Sequence, residues 1–166
     1  PEIEIAGNEW LLYSNRLAKE AIKSRKSLES IKEYFNIVVT LQPSFNIDEQ
    51  FFDTIIGHSP KIKLWLRFHP AMTEQKSHYA SIWAKPHERV EVSIAKEFSL
   101  SELFNIADLH ITASSSSIYE ATNAGIYTIF VSENACSYFE NFISNKQAEY
   151  LSKPEALKGF LNKLDI

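Results

Sequence analysis

The feature that most constrains the fold is a regular alternation of short apolar runs with helical stretches from residue 36 onward. The connections between successive apolar runs are too long for hairpins, and parallel neighbours, unlike antiparallel ones, need such crossovers. The alternation therefore predicts an α/β fold with a doubly wound, mainly parallel, Rossmann-like sheet. Strands are predicted at residues 37–42, 62–70, 90–95, 109–112 and 127–131, with a short last strand at 149–151.

Helical segments are predicted between these strands and at both ends of the chain. Residues 8–35 contain neither glycine nor proline, and their apolar residues recur at spacings of three, four and seven, as in an amphipathic helix. This segment is predicted to be a packing helix or an interdomain linker, so the chain divides into an N-terminal helical segment, 1–35, and a Rossmann-like domain, 36–166. Further helices are predicted at 47–58, 73–84, 99–107, 138–145 and 155–164, and from the serines to Gly125.

Composition argues against several classes of function. The formal charge is −4 and no run is rich in Lys or Arg, so we expect no nucleic-acid partner. The single cysteine, Cys136, excludes an internal disulfide and a cysteine zinc cluster; it indicates a reducing, cytoplasmic compartment, and we expect its side chain to be buried. No apolar run approaches the length of a membrane span. Because the chain begins with Pro1 instead of Met, we expect it to be a piece of a larger protein.

Ligands of a doubly wound sheet bind beyond the carboxyl ends of its strands. With four glycines in all, the chain has neither G-x-G-x-x-G nor a Walker P-loop. A phosphate must therefore be held by hydroxyls, a helix N-terminus and cationic side chains.

Four consecutive serines, Ser114, Ser115, Ser116 and Ser117, follow the fourth predicted strand and open a helix. Unpaired N–H groups and the positive end of the dipole favour an anion at such a position. A local alternative is that Ser117 and Glu120 form a capping box, which explains one serine but not four. Ser116 and Glu120 lie one helical turn apart, off the packing stripe, so we expect them to face a cleft together.

The second candidate is the stretch "LRFHP", where a predicted strand ends. Alternation along the strand places Trp65, Arg67 and His69 on one face, opposite the apolar face. His69 can donate a hydrogen bond to a phosphate or protonate a leaving phosphate, and Arg67 can supply fixed positive charge. The alternative is a purely structural histidine. The other histidines show no metal-ligand spacing; we expect His110 to lie inside a strand and the rest at the surface.

Together these residues resemble the C-terminal half of a GT-B glycosyltransferase. The resemblance is closest to bacterial surface-polysaccharide enzymes with H-P and S-S motifs: sialyltransferases, polysialyltransferases and CDP-glycerol glycerophosphotransferases. "LRFHP" is similar to their R/K-x-H-P strand end, and "ADLHITASSSSIYEATNAGIYTIFV" is similar to their block aD-x-x-I-T-x-x-S-S-x-x-x-E-A-x-x-x-G-x-P-x-i. The similarity spans residues 37–164.

The resemblance implies a role for each candidate residue. His69 would contact the donor's phosphate and assist departure of the nucleotide as the catalytic residue. Ser115 and Ser116, or Ser116 and Ser117, would bind that phosphate. Glu120 would hold the ribose hydroxyls. The remaining donor-binding positions are Ser114, Arg67, Ser44 after the first strand, and Ala95 and Lys96 in the loop that would meet the base.

The resemblance implies the donor-nucleotide-binding half of an enzyme that transfers a glycosyl or polyol-phosphate group from a CMP-, CDP- or UDP-linked donor. Its partners would be a nucleotide-activated sugar and the missing N-terminal acceptor domain, without a metal or cofactor. Alone, the domain is expected to be inactive in transfer. The full-length protein would be cytoplasmic, with peripheral association at the inner face of a bacterial membrane left open. Two alternatives stay open: a fragment of a UDP-GlcNAc 2-epimerase-like GT-B enzyme, and a non-catalytic α/β nucleotide-binding module.

Overall fold

The computed structural model describes residues 8–24, 31–43, 49–72, 88–92, 95, 97–164 and 166 of the chain. They contain one six-stranded sheet in which every neighbouring pair is parallel. The predicted doubly wound, parallel architecture is therefore confirmed. The strands are β1 (Phe35–Leu41), β2 (Ile62–Phe68), β3 (Val90–Glu91), β4 (Leu109–Thr112), β5 (Thr128–Phe130) and β6 (Ala148–Tyr150).

The order of strands across the sheet is β3-β2-β1-β4-β5-β6, so the first strand lies at its centre. β1 pairs with β2 along its whole length and with β4 from Ile37 to Thr40. From β1 the chain first builds outward on one side through β2 and β3, and then on the other through β4. This reversal makes the carboxyl ends of β1 and β4 the topological switch point, where an open α/β sheet binds its ligands.

Helices cover both faces of the sheet. The described helices are α1 (Glu9–Ser24), α2 (Glu49–His58), α3 (Leu100–Phe104), α4 (Ile118–Asn123), α5 (Asn134–Tyr138), α6 (Glu140–Ser144) and α7 (Pro154–Leu161). Apolar side chains of α2 and α7 pack on one face, against alternate residues of β1 such as Ile37 and Val39. Those of α1, α3 and α4 pack on the other face, which presents Val38 and Trp65, while α5 and α6 cover its β5–β6 end.

Some predicted elements differ from those observed. The third strand is only Val90–Glu91 instead of 90–95, because β3 lies at the sheet edge and pairs with β2 alone. Of the helix predicted over residues 8–35, the structure shows α1 and a single 3₁₀ turn at residues 31–33. Residues 25–30 lie outside the described residues, as does the helix predicted at 73–84. The helix predicted at 138–145 is two short helices that meet at Phe139. Cys136 is exposed, so its predicted burial is wrong: it lies on the solvent side of α5, whereas Ala135 enters the core.

Candidate functional site

His69 is the first residue after β2, and the backbone holds it at the centre of the sheet's carboxyl edge. Its N–H donates to the carbonyl of Leu41, the last residue of β1, at 3.0 Å. Its ring is fixed too, because Nδ1 accepts a hydrogen bond from the N–H of Ala71 at 3.1 Å. A neutral imidazole whose Nδ1 accepts carries its proton on Nε2. The exposed His69 ring thus presents an N–H donor from its far side.

The serine run makes a turn that leads from β4 into α4. At its start, the N–H of Ser114 donates to Oε1 of Gln42, just beyond β1, at 3.2 Å. Inside the turn, the Ser115 hydroxyl accepts from the N–H of Ser117 at 3.2 Å. The hydroxyl of Ser116 and the N–H groups of Ser115 and Ser116 have no hydrogen-bond partner among the residues that the structure describes. These donors lie at the switch point.

The capping box predicted at Ser117 is wrong. Ser117 has helical φ and ψ angles of −56° and −15°, and its side chain makes no capping hydrogen bond. A capping serine needs an extended backbone to reach across the helix start, so this conformation turns the hydroxyl elsewhere. Its Oγ lies 3.1 Å from Oγ1 of Thr40 and 3.4 Å from Nε2 of His110, beneath the turn.

His110 lies inside β4, as predicted, and is fully enclosed. Its Nε2 lies 3.0 Å from the hydroxyl of Thr40, and its Nδ1 lies 3.1 Å from the hydroxyl of Thr128. Burial lowers the pKa of His110 to about 3, so the ring is neutral at physiological pH. The contacts among these side chains were not predicted from the sequence. The sequence feature that could have indicated them is the presence of threonines at buried positions of strands that are otherwise apolar.

Glu120 is half-buried and turns toward α3, where its Oε1 accepts a hydrogen bond of 3.5 Å from the Ser101 hydroxyl. Burial raises the pKa of Glu120, and the Ser101 hydroxyl and the charge of Arg67 oppose that rise in part. Ser116, by contrast, is exposed. The structure therefore places Glu120 between the serine turn and the region that Arg67 reaches, while the predicted common cleft of Ser116 and Glu120 stays a prediction.

Arg67 connects the end of β2 to the segment after β3. Its Nη1 donates to the carbonyls of Ala95 and Phe98, at 2.7 and 3.1 Å. Ala95 is buried, and its carbonyl is the one that Arg67 binds. Arg67 thus fixes the place of the segment predicted to meet the base. Two further predicted site residues, Ser44 and Lys96, lie outside the described residues.

The fold brings His69 and the serine turn to the same edge of the sheet, one on each side of β1. They follow β2 and β4, which both pair with β1. Two strand spacings place them about 10 Å apart, a span that one phosphate-bearing ligand can bridge. Among the described residues, no group of three His, Cys, Asp or Glu side chains is arranged to hold a metal ion. In the same part of the chain, no helix combines the length and apolar character needed to cross a membrane.

Comparison of the sequence with protein-family models and with curated proteins gives no match. Among solved structures, the chain is similar to the wall teichoic acid polymerase TagF (15% identity, TM-score 0.63), covering 92% of this chain and 42% of that one. It is also similar to S. aureus MnaA with UDP (12%, TM-score 0.60), covering 89% and 42%. A third is the Methanocaldococcus jannaschii UDP-GlcNAc 2-epimerase (13%, TM-score 0.59), covering 92% and 44%.

The chain therefore spans less than half the length of each of these enzymes. At such identities the likeness establishes the fold alone. Together with the strand order, it shows a Rossmann-like α/β domain of the kind that forms one half of a GT-B fold.

Proposed function

We propose that this chain is the donor-nucleotide-binding half of a GT-B glycosyltransferase in surface-polysaccharide synthesis. The whole enzyme would transfer a glycosyl or polyol-phosphate group from a CMP-, CDP- or UDP-linked donor. The observation that carries the proposal is the set of hydrogen-bond donors at the switch point. His69 presents Nε2–H on one side of β1, and the N–H groups of Ser115 and Ser116 lie on the other.

The structural neighbours support a nucleotide-linked ligand. One TagF structure was soaked with CDPG, MnaA was determined with UDP, and the M. jannaschii epimerase with UDP-GlcNAc and UDP. These ligands share a nucleoside carrying phosphate groups, which is the chemistry that the donors of this site favour. The resemblance of "LRFHP" and of the serine block to motifs of the sialyltransferase and CDP-glycerol glycerophosphotransferase groups favours transfer.

In the proposed complex, the donor's phosphate lies between His69 and the serine turn. Its ribose hydroxyls reach the carboxylate of Glu120, and its base meets Ala95, whose carbonyl Arg67 binds, and Lys96, the next residue in the sequence. Charge accumulates on the leaving phosphate as its bond to the transferred group breaks. Donors fixed before the reaction stabilise that charge without reorganisation, which lowers the barrier. We invoke no metal for this step.

We further propose that the other half of the enzyme supplies the acceptor site and the catalytic base. Ser114, which follows β4, and Ser44, which follows β1 in the sequence, would complete the donor pocket. In this arrangement the chain alone binds nucleotide but transfers nothing, and it acts in the cytoplasm.

A second candidate is a UDP-GlcNAc 2-epimerase-like enzyme. The specific observation in its favour is that MnaA and the M. jannaschii epimerase match the chain nearly as well as TagF does, with TM-scores of 0.60 and 0.59 against 0.63. Cytidine selectivity would exclude the epimerase hypothesis, which requires a uridine ligand, and would support transfer from a CMP- or CDP-linked donor. Uridine selectivity is expected of an epimerase and of transfer from a UDP-linked donor alike.

The proposal is tested by calorimetric titration of the chain with CMP, CDP, UDP and GDP, with circular dichroism to show that the fold is intact. We expect a cytidine or uridine nucleotide to bind, and His69→Ala to weaken that binding without unfolding the domain. His58→Ala is a matched control, because His58 ends α2 just before β2 begins, at the opposite edge of the sheet. If an intact domain binds none of the four nucleotides, the proposed function is wrong.

A further inference from the structure

Four side chains form a connected set of hydrogen bonds beneath the serine turn, which we call the His110 network: Thr128, His110, Thr40 and Ser117. The contacts run from Thr128 Oγ1 to His110 Nδ1 (3.1 Å), from His110 Nε2 to Thr40 Oγ1 (3.0 Å), and from Thr40 Oγ1 to Ser117 Oγ (3.1 Å). The network crosses β5, β4 and β1 before it reaches the turn. Thr128 is completely enclosed, and Ser117, with 6% of its surface exposed, is the member of the network that opens α4 at the end of the serine turn.

Counting hydrogens gives this network a direction. The neutral imidazole has one N–H, and each of the three hydroxyls has one hydrogen to donate. If Nδ1 carried the proton, it would donate to Thr128, and the Thr128 hydrogen would have no acceptor among the described residues. That arrangement buries an unpaired donor, which costs about 1–3 kcal/mol.

The other tautomer avoids this cost. With the proton on Nε2, the Thr128 hydroxyl donates to Nδ1, Nε2–H donates to Thr40, and the Thr40 hydroxyl donates to Ser117 Oγ. Every hydrogen of Thr128, His110 and Thr40 then has an acceptor, and the one hydrogen left over belongs to Ser117. Ser117 is the member of the network that belongs to the serine turn.

We propose that Thr128, His110 and Thr40 orient the Ser117 hydroxyl so that its hydrogen is donated to an anionic group of the ligand. His110 is then a positioning residue, acting through Thr40 on a group that touches the ligand. The inference rests on the proposed function. It identifies the Ser117 hydroxyl as one hydrogen-bond donor to the ligand, oriented by residues of β1, β4 and β5.

The surroundings hold the network in place before any ligand arrives. The Thr112 hydroxyl donates to the carbonyl of Thr40 at 3.1 Å, which fixes β4 against β1 at this level. The ring of Phe104 packs edge-on against the imidazole, with centroids 4.9 Å apart. The imidazole therefore has a single position, and its low pKa keeps it from gaining a second proton that would reverse the contact with Thr128.

The tautomer is measured on the unmodified chain by ¹⁵N NMR of the imidazole nitrogens, which distinguishes a protonated nitrogen from an unprotonated one. We expect the proton of His110 on Nε2 and a lone pair on Nδ1. A proton on Nδ1 would overturn the proposal, because the network would then draw the Ser117 hydrogen inward.

A double-mutant cycle tests the consequence for binding, with the nucleotide that binds the chain most tightly as the probe. Ser117→Ala removes the donated hydrogen, and we expect its affinity to fall on the order of tenfold, as for a hydrogen bond to a charged group. His110→Phe removes the donor to Thr40, so the Ser117 hydrogen turns back to Thr40 and a similar loss follows. In the double variant, His110→Phe should cause no loss of affinity beyond that caused by Ser117→Ala.

Ile129→Val is the matched control, because Ile129 belongs to the same strand as Thr128 but packs on the opposite face. We expect it to lower thermal stability and leave affinity unchanged. Losses that add in the double variant, or an unchanged affinity in a folded His110→Phe, would overturn the His110 network alone. A folded wild-type chain that binds no nucleotide would overturn the proposed function as well.

Discussion

Replacing Arg67 with methionine should destabilise the domain by about 2–3 kcal/mol. The guanidinium donates to the carbonyls of Ala95 and Phe98, and each hydrogen bond from a charged group contributes about 1.5–3 kcal/mol. Because Arg67 is partly exposed, solvent screening weakens both bonds, and we take a value below their summed range of about 3–6 kcal/mol. Methionine keeps much of the apolar stem of arginine, so the change removes the charge and donors and little of the packing.

The assay is urea denaturation followed by far-ultraviolet circular dichroism, with the free energy of unfolding extrapolated to water. Lys63→Met is the matched control: Lys63 points to the same face of the same strand and pairs with Glu91 at 3.4 Å. We expect that variant to lose no more than about 1 kcal/mol. Arg67→Lys should fall between the two, because lysine keeps the positive charge but not the length and planar geometry that bring Nη1 to both carbonyls.

The nucleotide titration adds a second measurement to the same pair of variants. Because Arg67 holds the segment proposed to meet the base, Arg67→Met should weaken nucleotide binding, whereas Lys63→Met should leave it unchanged. The reasoning is refuted if Arg67→Met unfolds at the same urea concentration as the wild type.

Three further predictions concern other polar side chains. Burial raises the pKa of Glu120, so the folded state binds a proton more tightly than the unfolded chain does. The free energy of unfolding should therefore fall as the pH rises from about the ordinary glutamate pKa through the raised pKa of the folded state. Urea midpoints between pH 4 and 8 measure this fall, and Glu120→Gln should flatten it; equal slopes would contradict the prediction. Ser99→Ala removes a complete capping box with Glu102 and should cost about 1 kcal/mol by the same denaturation assay. Gln42→Ala removes the acceptor for Ser114 N–H and should cost about 0.5–1.5 kcal/mol in stability and weaken nucleotide binding, whereas wild-type affinity would show that Gln42 does not position the serine turn.

The central strands could be predicted from the sequence because both faces of the sheet are covered. β1, β2 and β4 lie between two layers of helices, so they read as nearly continuous apolar runs, and β4 matches its predicted bounds. The bounds of β3 could not be predicted from an apolar run, because β3 is an edge strand, which ends where its single neighbour stops pairing with it. The placement of His69 and the serines followed from the strands, since residues after neighbouring parallel strands meet at one edge.

The interactions inside the site depended on backbone angles that the sequence pattern does not contain. Two of the described helices have the spacing Ser-x-x-Glu at their N-cap, Ser99 to Glu102 and Ser117 to Glu120. The first is a true capping box, because Ser99 is extended, with φ −64° and ψ 161°. The second has the same letters but a serine that is already helical, since the turn of hydroxyls before it has begun the helix early.

The difference between these two serines argues for function at the second. A serine whose side chain makes no capping hydrogen bond loses about 1 kcal/mol of helix stability. Ser117 instead contacts Thr40 and His110, as part of the buried His110 network at the switch point of the sheet. Buried polar side chains stabilise a fold less readily than apolar ones of the same shape, so stability alone does not account for His110 and its threonines. Positions where a local sequence rule fails are often functional sites. At Ser117 the capping rule fails at the same edge of the sheet as His69, where the topology places a ligand. A Ser117 hydroxyl oriented toward that ligand explains both the missing capping hydrogen bond and the burial of His110.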